Sequence, residues 1–419
     1  METTILPSDI SGGIAPPCSK SYAQRAFATA LLAEGETILR NIELCDDAKT
    51  ALNVIEALGA KIKMLDEETL SITGGFSPRQ EDIDVADSGL ATRLFAPIAA
   101  LHEGTLQITS SESSRKRNFG MLIRPLRELG VDISSQNGML PLKLTGPIKG
   151  GETIIDWQSS SQFLTGLLIA APMIEQDTVL HVKNLDSTHY IDMTIDIVER
   201  FGGQIEHNEF KEFFIPGGQK YHGVDYAIEG DWSCAAFWLV AGAVAGEVTV
   251  CNMNMLSRQS DIAIIDALQR AGAEITTMDN KITVSRNPLH GFEFDASRHT
   301  DLFPILTVLA ANCAGTSIIK GADMLSFGES DRGTAIIEEF PRLGIKMHIE
   351  DGDKLIVEGG RITGGDVSSR DDHRIAMAEA IAGLTSASGV RIEDAEAVTK
   401  SYPTFWNDLQ ALTHGSNKQ

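Results

Sequence analysis

The segment ALNVIEALGAKI, residues 51–62, places apolar Ala51, Val54, Ile55 and Leu58 at helical spacing and then breaks at Gly59 before a strand-like run. This reads as a helix stopped by a glycine in the left-handed region and followed by a strand. The same ending recurs as LGVDI, FGGQI, AGAEI and LGIKM, whose glycines are Gly130, Gly202, Gly272 and Gly344, in steps of 71, 72, 70 and 72 residues. One structural unit therefore repeats about every 70 residues.

A second recurrence fills in the unit. Apolar runs with Ser- or Asp-rich starts begin at Ser19, Asp87, Ser159, Asp231, His299 and Ser369, six in all. Ser and Asp at such positions accept hydrogen bonds from the unpaired N–H groups of a first helical turn. β-rich segments such as DTVLHVKN and GEVTVCNM lie between the two helices of a unit, and two more follow the second helix. The unit is strand, helix, strand, helix, strand, strand. The last unit lacks its closing hairpin, and an unassigned N-terminal stretch holds Ile5, Ile10 and Ile14, so chain start and chain end are expected to complete one lobe. Six units divide into two lobes of three, residues 20–228 and residues 1–19 plus 229–419, with a hinge near 19–20 and 228–231. A cleft between lobes is the expected ligand site.

Charge narrows the partners. Lys plus Arg number 35 against 58 Asp plus Glu, a net charge of −23, which disfavours general adhesion to nucleic acid or to an anionic membrane. The cations that exist gather at helix starts: Lys20, Arg25, Arg93, Arg298, Arg370 and Arg374 at first helices, and Arg115, Lys116, Arg117, Arg332 and Lys400 near second ones. Helix starts carry partial positive charge, so this arrangement suits small anionic ligands. A P-loop fails on spacing: Gly13 is followed by Pro16 and Pro17, which lack N–H donors, and by Cys18 where glycine is needed. The 5 cysteines are scattered without metal-ligand spacing, and neither a secretion signal nor a membrane span is expected, so the chain reads as cytoplasmic and free of metal and cofactor.

The strings SKSYAQRA from Ser19, SSSQFLTGLL from Ser159, STHYID from Ser187, ESDR from Glu329, DDHRIAMA from Asp371 and VTKSYP from Val398 together resemble the 5-enolpyruvylshikimate-3-phosphate synthase family over essentially the whole chain. The resemblance implies a two-lobed inside-out α/β barrel of six βαβαββ units. It also implies transfer of the enolpyruvyl group of phosphoenolpyruvate to the 5-hydroxyl of shikimate 3-phosphate with release of phosphate, by a monomer without cofactor. Carried over by motif, Lys20 contacts both substrates. Ser21, Arg25, Ser160, Ser161, Gln162, Ser187, Tyr190 and Asp301 serve shikimate 3-phosphate. Gly89, Arg115 or Arg117, Gln162, Arg332, Arg374 and Lys400 serve phosphoenolpyruvate, while Lys20, Asp301 and Glu329 are the catalytic candidates.

Three places depart from the family pattern. Asp87 and Leu90 stand where Asn and Thr are usual, Gly328 and Met324 stand where Lys and Asn are usual, and SSESSRKRNFG from Ser110 offers two arginines for one role. Gly328 and Asp87 also leave room for a homologue that binds ligand without turnover, and two further rival readings fit the residues less well. The enolpyruvyl transferase acting on UDP-N-acetylglucosamine usually carries a reactive cysteine in the second unit's loop, and residues 110–120 contain none. A ring-shaped sliding clamp has one helix per repeat where this chain has two.

Overall fold

The five repeat glycines all take positive φ, 122° at Gly59, 87° at Gly130, 92° at Gly202, 86° at Gly272 and 81° at Gly344, so each turns the chain where a side chain would be strained. A computed structural model describes residues 1–86, 88–111, 117–156, 161–185, 188–327 and 332–415. Asp87, Ser160, Ser187, Arg115, Gly328 and Glu329 lie outside the described residues.

The helices run in order α1 (Lys20–Leu32), α2 (Asp46–Ala57), α3 (Gly89–Ala99), α4 (Ile123–Glu128), α5 (Ser161–Ala170), α6 (Thr188–Arg200), α7 (Trp232–Ala245), α8 (Ile264–Ala271), α9 (Phe303–Ala311), α10 (Arg332–Glu339), α11 (His373–Thr385) and α12 (Phe405–Gly415). The second module shows the unit complete. Strand Asp82–Asp84 crosses through α3 to a parallel neighbour, Thr105–Thr109, which pairs antiparallel with Met139–Thr145, and Asp132–Gln136 closes the edge. Four further four-stranded sheets among the described residues repeat this order.

The chain divides into two compact units, Cys18–Ile228 and a terminal unit of Met1–Pro17 with Glu229–Gln419. The division falls two residues before the expected 19–20 hinge, because Cys18 and Ser19 belong to the first module. The Cys18 sulfur accepts from the Glu43 N–H at 3.5 Å, and the Ser19 hydroxyl caps α1. In the 18–228 unit the first sheet borrows its leading strand from the unit's end, Asp225–Ala227 lying parallel to Glu36–Arg40. The terminal unit borrows from the chain start. Ile10–Ile14 pairs parallel with Gly246–Val250, and Thr3–Ile5 pairs antiparallel with Val390–Glu393, completing a three-stranded last sheet.

Each unit has its own apolar core, and its central helices are buried along almost their whole length. In α1 every residue but Ser21 is buried, in α3 every residue but Arg93, in α5 every residue but Gln162, and in α7 every residue but Ser233. A helix that is apolar all round must be enclosed. These four helices are enclosed along their length, and their exceptions fall at the second residue or, for Arg93, one turn in. In the 18–228 unit, α3 and α5 pack backbone to backbone at Gly166, where a Cβ would sit 2.5 Å from the Leu94 carbonyl oxygen and 2.9 Å from that of Arg93. Pro97, four residues after Arg93, supplies no N–H to the Arg93 carbonyl and leaves it facing this glycine.

Candidate active site

Two groups of side chains gather at helix starts in the 18–228 unit. Lys20, the first residue of α1, is buried and its Nζ donates to Asp47 Oδ2 at 2.8 Å at the start of α2. At the starts of α3 and α5, one Arg93 terminal nitrogen donates to Gln162 Oε1 at 2.9 Å and to the Gly89 carbonyl at 3.2 Å, and the guanidinium lies over the Phe119 ring. Arg117 is exposed but reaches the same spot, since a Cβ on Gly89 would sit 2.9 Å from one of its terminal nitrogens. The bare Gly89 thus lets two guanidiniums lie close against the helix start.

One turn further along α5, Arg25 is used internally. Its Nε donates to Thr194 Oγ1 at 2.9 Å, and its terminal nitrogens donate to Thr165 Oγ1 at 3.3 Å and to the Tyr190 and Ser21 carbonyls at 3.2 and 2.8 Å. Its guanidinium carbon stands 5.9 Å from the Tyr190 ring centroid. Burial pulls its pKa down to about 10. Arg25 thus fastens α1, α5 and α6 together and sets the half-buried Tyr190. Ser161 is buried at the first position of α5.

The terminal unit builds a network around one carboxylate. Asp301, in the tight turn Thr300–Leu302 before α9, accepts from an Arg332 terminal nitrogen at 2.7 Å and from Arg374 at 3.0 Å. Arg332 Nε also donates to Asp372 Oδ2 at 3.0 Å. The other oxygen of Asp372, Oδ1, caps α11, accepting from the Arg374 and Ile375 N–H groups at 2.8 and 3.3 Å. Burial works against the Asp301 carboxylate, but the charges of Arg374 and Arg332 outweigh it and hold its pKa well below the usual range. Burial likewise opposes the Arg332 charge, and Asp372 with Asp301 more than restores it.

Beside this network the backbone takes two consecutive left-handed residues, Arg370 (φ 51°) and Asp371 (φ 59°). Each costs on the order of 1–2 kcal/mol, which the surroundings offset. Arg370 Nε is held by Glu339 at 2.8 Å, and Lys400 Nζ donates to both the Asp371 carboxylate at 2.6 Å and its carbonyl at 2.7 Å. Two residues after Lys400, Tyr402 is buried against Trp238 with its hydroxyl accepting from the indole N–H at 3.0 Å.

The structure therefore brings Gly89, Arg117 and Gln162 together in one unit and Asp301, Arg332 and Arg374 in the other, with Lys400 held at the turn that precedes Asp372. Lys20 is paired with Asp47. Sequence reasoning counted Arg93 among the helix-start cations without giving it a substrate, and assigned no site role to Asp47 or Asp372. The signal for Arg93 was its place one turn into a helix with no other charged residue. Arg370, counted as an anion-binding cation, instead braces a turn against Glu338 and Glu339.

Repeated βαβαββ modules, three to a unit, with cations and bare glycine at the starts of enclosed helices, define an α/β enzyme of the enolpyruvyl-transferase class. The family model for EPSP synthase (3-phosphoshikimate 1-carboxyvinyltransferase) matches residues 6–409. Curated proteins named 3-phosphoshikimate 1-carboxyvinyltransferase from Clostridium acetobutylicum and Clostridium novyi are 38% and 36% identical, each alignment covering 97% of this chain and 96% of the relative. A solved EPSP synthase structure from Acinetobacter baumannii superposes with a TM-score of 0.86 at 25% identity, covering 98% of both chains. The chain belongs to the EPSP synthase family.

Proposed function

We propose that the chain transfers the enolpyruvyl group of phosphoenolpyruvate to the 5-hydroxyl of shikimate 3-phosphate and releases phosphate, a step toward chorismate and the aromatic amino acids. The observation that carries this reading beyond family membership is the Asp301 network: a carboxylate kept ionised by two arginines, of which Arg374 opens the first turn of α11. At neutral pH Asp301 is an acceptor, suited to orient a substrate hydroxyl, while Arg332, Arg374 and Lys400 suit the carboxylate and phosphate of phosphoenolpyruvate. In the other unit Gly89, Gln162 and either Arg115 or Arg117 serve the same substrate. Lys20, Ser21, Arg25, Ser160, Ser161, Gln162, Ser187 and Tyr190 serve shikimate 3-phosphate, with Arg25 acting through the position of Tyr190. Glu329 is the proposed proton donor to the methylene carbon.

The reading includes a monomer working in the cytoplasm without metal or cofactor, and the five cysteines, all free, suit a reducing compartment. No helix among the described residues is long and apolar enough to cross a membrane. A charge-assisted contact contributes roughly 1.5–3 kcal/mol, or about tenfold to a hundredfold in affinity or rate. Phosphate release is therefore expected to require both substrates together and to fall at least tenfold in Lys20→Ala and in Arg374→Ala. Release with UDP-N-acetylglucosamine in place of shikimate 3-phosphate would replace this reading with the related transferase.

A further inference from the structure

Asp261 stands beside the Asp301 network and has no part in the assignments above. It lies in the tight turn Ser260–Ala263 ahead of α8 and is 3% exposed. Its Oδ2 accepts from the Ser233 hydroxyl at 2.6 Å and its Oδ1 from the Ser260 hydroxyl at 3.1 Å. Ser233 is the one residue of α7 that is not buried, so the carboxyl is fastened at the open end of that helix. The charges of Asp301 and Arg374 both act on it. Two neighbouring carboxyls thus have unequal partners: Asp301 has two guanidiniums, Asp261 has hydroxyls. A hydroxyl accepts as well as donates, so Asp261 can gain a proton and keep its hydrogen bonds, whereas Asp301 cannot do so without losing an ion pair.

We propose that Asp261 is a positioning residue of the anion-gripping end of the terminal unit, which takes up a proton from solvent when an anionic substrate engages Arg374. The inference rests on the assignment of Arg374 to phosphoenolpyruvate. The anion's charge disfavours a second buried negative charge nearby and draws Arg374 away from Asp261. Both effects favour the protonated carboxyl, and by linkage the protonated form binds the anion more tightly. Burial, then the charge of Asp301, already lifts the Asp261 pKa to about 6, where the effect falls in a measurable range. The ionisable groups whose charges act on it are Asp301 before α9, Arg374 at the start of α11 and Asp231 at the start of α7, and His299 meets the backbone of Ser260 beside it. Burial lowers the pKa of His299, so it is neutral through the upper part of that range.

The test is the pH dependence of KM for phosphoenolpyruvate at saturating shikimate 3-phosphate, from pH 5 to 8.5, in the full chain. The wild type is expected to show KM rising about tenfold as pH climbs past the Asp261 pKa, the factor set by roughly one pKa unit of coupling. In Asp261→Asn that limb disappears relative to wild type, while ionisation of the substrate itself affects both proteins alike. Ser233→Ala removes a donor to the carboxylate, so it shifts the limb to higher pH, and it decides the matter should Asp261→Asn fail to fold. A limb unchanged in Asp261→Asn, or unmoved in Ser233→Ala, overturns the proposal and leaves the function standing. Wild-type protein that releases no phosphate from the two substrates overturns the function and this inference with it.

Discussion

Gly166→Ala separates two effects of opposite sign. In an ordinary helix interior, alanine is favoured over glycine by about 1 kcal/mol, so the change is expected to stabilise α5 wherever space allows. At Gly166 it does not. The new Cβ would lie 2.5 Å from the Leu94 carbonyl oxygen and 2.9 Å from that of Arg93, both of them backbone atoms. Ordinary carbon contacts need about 3.5 Å, so α3 and α5 must part by roughly 1 Å at their closest point. Overpacking of this kind costs typically 1–3 kcal/mol. Thermal unfolding of a unit this size moves by roughly 2–4 °C per kcal/mol, which places the loss in Tm at about 2–12 °C. The parting also acts on the Arg93–Gln162 bond one turn away, 2.9 Å long, and on the two guanidiniums at Gly89. KM for phosphoenolpyruvate is therefore expected to rise together with the fall in Tm. Gly360→Ala is the control, because nothing lies within 4 Å of its added Cβ. A Gly166→Ala protein as stable as wild type or more stable would show that the helix pair can yield, and the close approach would then explain nothing about the site.

Further consequences follow from buried carboxyls in the terminal unit. Asp372→Ala removes both the cap of α11 and a buried partner of Arg332, so urea unfolding should show a loss of about 3–5 kcal/mol, whereas Asp372→Asn keeps a cap acceptor and should lose less. Glu379 on α11 is fully buried, and neither of its carboxyl oxygens has a hydrogen-bond partner among the described residues. Burial, followed by the charges of Glu339 and Asp372, raises its pKa well above the usual carboxylate range. Its contribution is therefore complete below the ordinary Glu pKa of about 4.3 and is lost at up to about 1.4 kcal/mol per pH unit as pH rises toward the folded-state value. Glu379→Met should match wild type most closely near pH 4 and gain on it steadily toward pH 8, as read by Tm across that range. A difference that stays flat with pH would refute the assignment.

The repeat was legible because its marker is local. A glycine that must take positive φ after an amphipathic helix leaves the same short string five times, and all five glycines have that conformation. Capping is local too, but ambiguous where candidates crowd together. Ser19 and Asp231 cap their helices where the sequence placed them, while the second helix starts after Ser88 and the sixth after Asp372 instead of Ser369. Before α9, Pro304 cannot donate to the preceding turn, so Thr300–Leu302 winds tightly and the α-helix begins only at Phe303. What sequence could not reveal was pairing across distance. Nothing in Asp225–Ala227 marks it as the edge of the first sheet, nor does the residue type of Arg25 or Arg370 reveal the distant partners that each guanidinium holds.

The same pairing explains how a chain of net charge −23 keeps cations ready for anionic substrates. Lys20 leans on Asp47, Arg374 on Asp301, Lys400 on Asp371, and Arg332 on Asp301 and Asp372 together. Each carboxylate fixes a cation in place and spares it the cost of an uncompensated charge, so an incoming anion meets groups already oriented. Burial ranks how freely these pairs exchange. Lys400 is 38% exposed and its partner Asp371 75%, so water stands in for either at little cost. Arg332 and Asp372 are 5% and 3% exposed, and separating them would strand two buried charges. On the proposed assignment to phosphoenolpyruvate, Lys400 is therefore the cation that exchanges its carboxylate for a substrate anion at least cost, and Arg332 the one that keeps its carboxylate partners while it meets the anion.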